Sequence, residues 1–156
     1  MADILTRFQH VSVTDRVGVV HDVSIRQDSE DYYVARTIRC DSYFDGKTPE
    51  RAVADLLGSI NWNHSSQFNE CKPEKKERMV TWIRTNLRAG TRGKAKRYSS
   101  YYLKHIVEEA IGQYVGNGEL KGAMLEAGLL PTKDSEEYNT NCGYVLQRGL
   151  KREGER

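Results

Sequence analysis

Two short runs near the start of the chain alternate between apolar and polar positions. In VGVVHDVSIRQ, residues 17–27, the side chains of Val17, Val19, His21, Val23 and Ile25 fall on one face. In YYVARTIRC, residues 32–40, Tyr32, Val34, Ile38 and Cys40 share a face that Arg36 interrupts. A period of two marks a half-buried strand. The turn-forming DSED between the runs makes them an antiparallel hairpin, and QHVSV near residue 11 adds a third strand. The period then changes. Ala52, Val53, Leu56, Leu57 and Ile60 recur at helical spacing. Ahead of them stand Thr48, a good N-cap, and Pro49, suited to the first helical position. The first sixty residues therefore predict a small sheet under one helix, burying Val19, Val23, Val34, Ile38, Val53, Leu56 and Leu57.

Residues 61–73, NWNHSSQFNECKP, carry no period and predict a polar break. They separate a domain at 1–62 from a helical half at 74–150, with a tail at 151–156. In PEKKERMVTWIRTNL, Met79, Val80, Ile83 and Leu87 form one helical face. RAGTRGKAKR predicts a loop. SSYYLKHIVEEAIG carries the clearest helical stripe: Leu103, Ile106, Val107, Ala110, Ile111 and Tyr114. Ser99 or Ser100 caps it and Gly112 stops it. Asn117 caps a further helix with Leu120, Ala123, Met124 and Ala127 aligned, ended by Gly128 and Pro131. CGYVLQ predicts a closing strand. The fold class is α+β: a small antiparallel sheet with one packed helix, followed by a basic helical half.

Charge sharpens this division. The net charge is only +2. Residues 1–71 hold seven Lys and Arg against eleven Asp and Glu, a balance of −4; residues 72–105 hold eleven against two, +9; residues 106–156 hold six against nine, −3. A basic centre between acidic flanks concentrates a field that attracts polyanions. No run approaches the roughly 18 apolar residues of a membrane span. The start, MADILTRFQH, lacks the basic and then apolar regions of a secretory signal. Cys40, Cys71 and Cys142 match neither a disulfide framework nor a metal motif, which points to a reducing cytoplasm.

The chemistry worth weighing lies in the basic centre. Arg88, Arg92, Lys94, Lys96 and Arg97, followed by Tyr98, Tyr101 and Lys104, combine phosphate-binding cations with rings that stack on unpaired bases. The same block reads equally as a solvated linker with Tyr102 packed beneath it, and an acidic protein surface would satisfy its charges too. The last two helices have the spacing of a helix-turn-helix. The second would expose Glu119, Lys121, Gly122 and Glu126, a poor set for base edges, so a structural hairpin is the better reading. His10, His21, His64 and His105 lie in unrelated segments. Glu70 and Lys72 make an E-x-K pair of the kind found in metal-dependent nucleases, but no apolar strand carries it. GNGELKG lacks phosphate-loop spacing. No cofactor or metal is implied, and the chain reads as a binding protein without catalysis.

Two resemblances add to this. The acidic turn before Tyr33-Val34-Ala35, with Gly46 to Ala52 opening a helix, resembles the N-terminal domain of HicB-type antitoxins. That implies, as an alternative, an antitoxin-like regulator whose helical half touches DNA. The stretch from Ser99 to His105, then Tyr114 to Gly118, then Lys121 to Gly128 resembles a group of small uncharacterised proteins of phages and other mobile elements. It implies an accessory protein that engages nucleic acid or a host nucleic-acid-handling complex. Inhibition of a defence nuclease such as a CRISPR effector is one form of that role.

Overall fold

The computed structural model describes residues 8–37, 40–91, 93–133 and 141–150. The fold is α+β. The chain divides into two compact units, with the division along the sequence between Asn61 and Trp62.

The first unit is a four-stranded antiparallel sheet in the order β1 (Phe8–Thr14), β2 (Val20–Ser29), β3 (Tyr32–Thr37) and β4 (Cys40–Gly46). Helix α1 (Pro49–Asn63) follows. Its start is capped as expected: the Arg51 N–H donates to Thr48 Oγ1 at 3.2 Å. Ala52, Leu56 and Ile60 of α1 pack on Val23, Ile25 and Ala35. The register pairs Ile25 with Ala35 and Ala35 with Phe44, so these side chains share the helix-facing side.

Three expectations change here. In β3 the helix-facing residue is Ala35, and Val34, though buried, pairs with Arg26 and Asp45 on the opposite face. Val19, Val53 and Leu57 are half-buried, and Ile38 lies outside the described residues. Val17 is not in a strand at all. Asp15 holds the β1–β2 turn by accepting from the N–H groups of Val17 (3.0 Å) and Val19 (2.9 Å), which leaves Val17 exposed. The other Asp15 oxygen meets buried His21 Nε2 at 2.9 Å. Burial pulls the Asp15 carboxyl upward, but the bonds from His21, Val19 and Val17 outweigh it and hold the pKa below its ordinary value.

The second unit is built round α4 (Asn117–Glu126), which packs against a 3-10 helix (Ser65–Glu70), α2 (Pro73–Asn86) and α3 (Ser100–Ile111). The stretch expected as a polar break is thus a packed element, with Phe68, Asn63 and His64 buried. His64 caps the 3-10 helix, its Nδ1 accepting from the Ser66 N–H at 3.1 Å. Two glycines permit the approach of α4. A Cβ on Gly118 would lie 2.7 Å from the Trp62 carbonyl oxygen, and one on Gly122 2.5 Å from that of Ser65. Polar side chains fix the register: Asn117 Nδ2 donates to Asn63 Oδ1 at 3.0 Å and Lys121 Nζ to the Asn63 carbonyl at 2.9 Å.

The cap of α4 lies one residue earlier than predicted, with Gly116 as N-cap and Asn117 inside the helix. Glu119 does the capping, accepting from the Gly116 N–H at 2.7 Å. It also accepts from Lys75 Nζ at 2.6 Å and from the Cys71 thiol at 3.1 Å. Burial pulls Glu119 upward, but Lys75, Gly116 and Cys71 hold it below the ordinary carboxylate value. Burial, together with the hydrogen bond and charge of Glu119, pushes the Cys71 thiol up to about 11. α3 is capped as its sequence predicts, by Ser99 Oγ at the start and by Gly112, φ +61°, at the end. The unit closes with a ribbon of β5 (Ala95–Ser99) antiparallel to β6 (Gly143–Gln147).

Candidate nucleic-acid interface

The basic stretch expected as a loop is half strand. It begins where α2 ends, and Arg88 Nη1 donates to the Leu87 carbonyl at 2.8 Å and to that of Arg84. Gly90 N–H then donates to the Val145 carbonyl at 3.0 Å, and Gln147 N–H to that of Arg88 at 3.1 Å. A turn follows, with Lys94 N–H on the Thr91 carbonyl at 3.0 Å and Gly93 at φ +82°. The cations are therefore carried on a main chain that is hydrogen-bonded to residues 145–148.

Strand alternation sorts the side chains. Tyr98 pairs with Tyr144 and Lys96 with Leu146, and Tyr98, Tyr144 and Leu146 are buried. Arg97 pairs with Val145 on the outward side, and both are exposed. The Arg97 guanidinium lies across Gly143, where a Cβ would fall 2.7 Å from Nη2. Lys96 is exposed, its ammonium 5.3 Å from the Tyr98 ring centre. Arg88, Lys94, Lys96, Arg97 and Arg148 make up the exposed cations of the ribbon. Among the described residues, no carboxylate lies within ion-pair distance of Arg88, Lys94, Lys96 or Arg148. Arg148, whose Nε donates to the Ala95 carbonyl at 3.2 Å, joins the site from far along the sequence and was not anticipated.

Two expected site residues do not belong to this surface. Tyr98 is 4% exposed and stacks on Tyr102 at 5.9 Å, so its face is closed to a base. Lys104 is 8% exposed because it falls on the buried stripe of α3 with Ser100, Leu103, Val107 and Ile111. Tyr101 is exposed, and Arg92 lies outside the described residues. Tyr114, assigned from sequence to an apolar stripe, is exposed as well.

The second helix of the helix-turn-helix-like pair has no free reading face. Lys121 is 2% exposed and Gly122 is buried, Glu119 is half-buried, and only Leu125 and Glu126 of α4 are exposed. A helix closed in this way cannot enter a major groove. Glu70 and Lys72 are exposed at the end of the 3-10 helix. Among the described residues, no three His, Cys, Asp or Glu side chains gather where a metal could sit. The high pKa of Cys71 keeps it a thiol at neutral pH, the opposite of an activated nucleophile. No helix among the described residues is long and apolar enough to cross a membrane.

Compared with protein-family models, with curated proteins and with solved structures, the chain has no significant match.

Proposed function

We propose that the protein binds nucleic acid through its phosphates, using the exposed cations of the β5–β6 ribbon, and carries out no reaction of its own. The observation that carries this reading is the set Arg88, Lys94, Lys96, Arg97 and Arg148 on one hydrogen-bonded ribbon, four of them without an acidic partner among the described residues. Holding like charges together on a fixed main chain costs stability unless an anion answers them. Phosphate contacts of this kind position a chain without reading its sequence. The sequence resemblance to mobile-element proteins supports an accessory role, acting on nucleic acid or on a host nucleic-acid-handling complex such as a CRISPR effector. The burial of α4 speaks against an antitoxin-like regulator that would read an operator through the α3–α4 pair.

The test is the salt dependence of binding. Changing Lys94, Lys96 and Arg97 together to Ala lowers affinity for all sequences alike. It also flattens the log–log salt slope by about one unit per lost phosphate contact. Unchanged affinity and slope would show the ribbon to be only a solvated surface. Incubation with labelled DNA or RNA and magnesium or manganese leaves both intact; cleavage abolished by Glu70→Ala would overturn the non-catalytic reading.

A further inference from the structure

Two exposed tyrosines on the same unit are not scattered surface residues. Tyr101 is 55% exposed and Tyr114 56%. One ammonium braces both: Lys104 Nζ lies 5.5 Å from the Tyr101 ring centre and 5.2 Å from that of Tyr114. The two centres are therefore at most 10.7 Å apart, the sum of those two distances. Lys104 is itself anchored, 3.4 Å from the Val115 carbonyl and 3.6 Å from Glu108 Oε2. Tyr101 also rests edge-on against His105, at 4.7 Å and 85°. The rings are held in place while their outer surfaces stay in water.

From this arrangement we infer that the ligand is single-stranded, with Tyr101 and Tyr114 as stacking platforms for unpaired bases. The inference rests on the phosphate-binding reading above. Tyr101 follows Arg97 by four residues, so their Cα atoms are no more than about 14 Å apart even along an extended chain. A strand whose phosphates lie on the ribbon thus reaches Tyr101. The Lys104 charge beneath the rings is offset by Glu108. Duplex bases offer no open face to a tyrosine, whereas every unpaired base does. The helix that would enter a duplex groove is buried.

The test compares three probes by fluorescence anisotropy or competition: a labelled single strand of mixed sequence, the duplex of the same length, and inorganic polyphosphate. The full chain binds the single strand more tightly than the duplex. Tyr101→Ala and Tyr114→Ala each weaken single-strand binding by roughly 5- to 150-fold. They leave polyphosphate binding unchanged, and the Phe variants keep single-strand binding because they keep the ring. Equal affinity for single strand and duplex, with both Ala variants unaffected, overturns the inference, leaves the ribbon reading standing and turns the rings toward a protein partner. Parallel loss of polyphosphate binding in the Ala variants also overturns it, since the rings would then be acting through the fold. Failure of the wild type to bind any of the three overturns the ribbon reading itself.

Discussion

Replacing Gly122 by Ala separates a packed second unit from a loosely linked one by the sign of the effect. Alanine is the better helix former by about 1 kcal/mol, so an unconstrained α4 would gain stability. The surroundings of Gly122 reverse that. The new Cβ would stand 2.5 Å from the Ser65 carbonyl oxygen and 3.0 Å from Phe68 Cγ, and closer still to Phe68 Cβ. The first is main chain and the second belongs to a buried ring, so neither can swing aside. The 3-10 helix must move off α4, straining the Lys121–Asn63 and Asn117–Asn63 bonds. Overpacking of this kind costs about 1–3 kcal/mol, so it cancels the propensity gain of about 1 kcal/mol and leaves a net loss of up to about 2 kcal/mol. Gly58 is the control: it sits exposed in α1 with nothing within 4 Å of an added Cβ, so Gly58→Ala stabilises by about 0.5–1 kcal/mol. Urea unfolding followed by tryptophan fluorescence reports the second unit, where Trp62 and Trp82 lie, and circular dichroism follows the Gly58 control, which lies in the first. A lower midpoint with unchanged slope is expected. A Gly122→Ala protein more stable than wild type, by the about 1 kcal/mol of unopposed helix propensity, would refute the packing described for α4.

Other consequences are as direct. Leu56 is fully buried between Val23, Ile25 and Ala35, so Leu56→Ala destabilises the first unit by about 2–5 kcal/mol; a loss under about 0.5 kcal/mol means the wrong face of α1 has been assigned. Cys71 is slow toward alkylating reagents at pH 8, and Glu119→Gln speeds its labelling, because removing the carboxylate leaves Lys75 beside the thiol; peptide-resolved mass spectrometry checks this, and an unchanged rate contradicts it. Asp15 and Glu119 are both held below the usual carboxylate values, so the stability they contribute is present above the unfolded pKa near 4 and is lost as pH falls through the folded one. Urea midpoints therefore drop on acidification from pH 5 to pH 3, and Glu119→Gln flattens that drop in the tryptophan signal.

Where a local rule acts alone, the sequence is readable. Thr48-Pro49 marks the start of α1, and Ser99 and Gly112 bracket α3, because caps depend on a few adjacent residues. β2 shows its period because one of its faces is buried and the other is not. The failures have a shared cause, which is that partners distant in sequence decide them. In β4, the sequence CDSYFDG has too few apolar residues to show a face, and its place is fixed by pairing with β3. β5 hides inside a run of cations, and what makes it a strand is β6, some fifty residues later. The segment before α2 looks like a linker because its side chains are polar, but Asn63 and His64 spend that polarity on buried hydrogen bonds. Lys121 reads as a surface residue until the Asn63 carbonyl is brought to it. Of the candidate site, the cationic block was legible as charge. Which tyrosines face outward was not, since Tyr98 and Tyr101 differ only in the element each belongs to.

Lysine footprinting tests the central claim most directly. The protein is acetylated briefly, with and without a saturating single-stranded oligonucleotide, and each lysine is quantified by mass spectrometry. Lys94 and Lys96 are exposed on the ribbon, and Lys47 is exposed in the first unit. All three react in the free protein, and the expected result is that the ligand shields Lys94 and Lys96 while Lys47 continues to react. Shielding of Lys47 with Lys94 and Lys96 still open would contradict it.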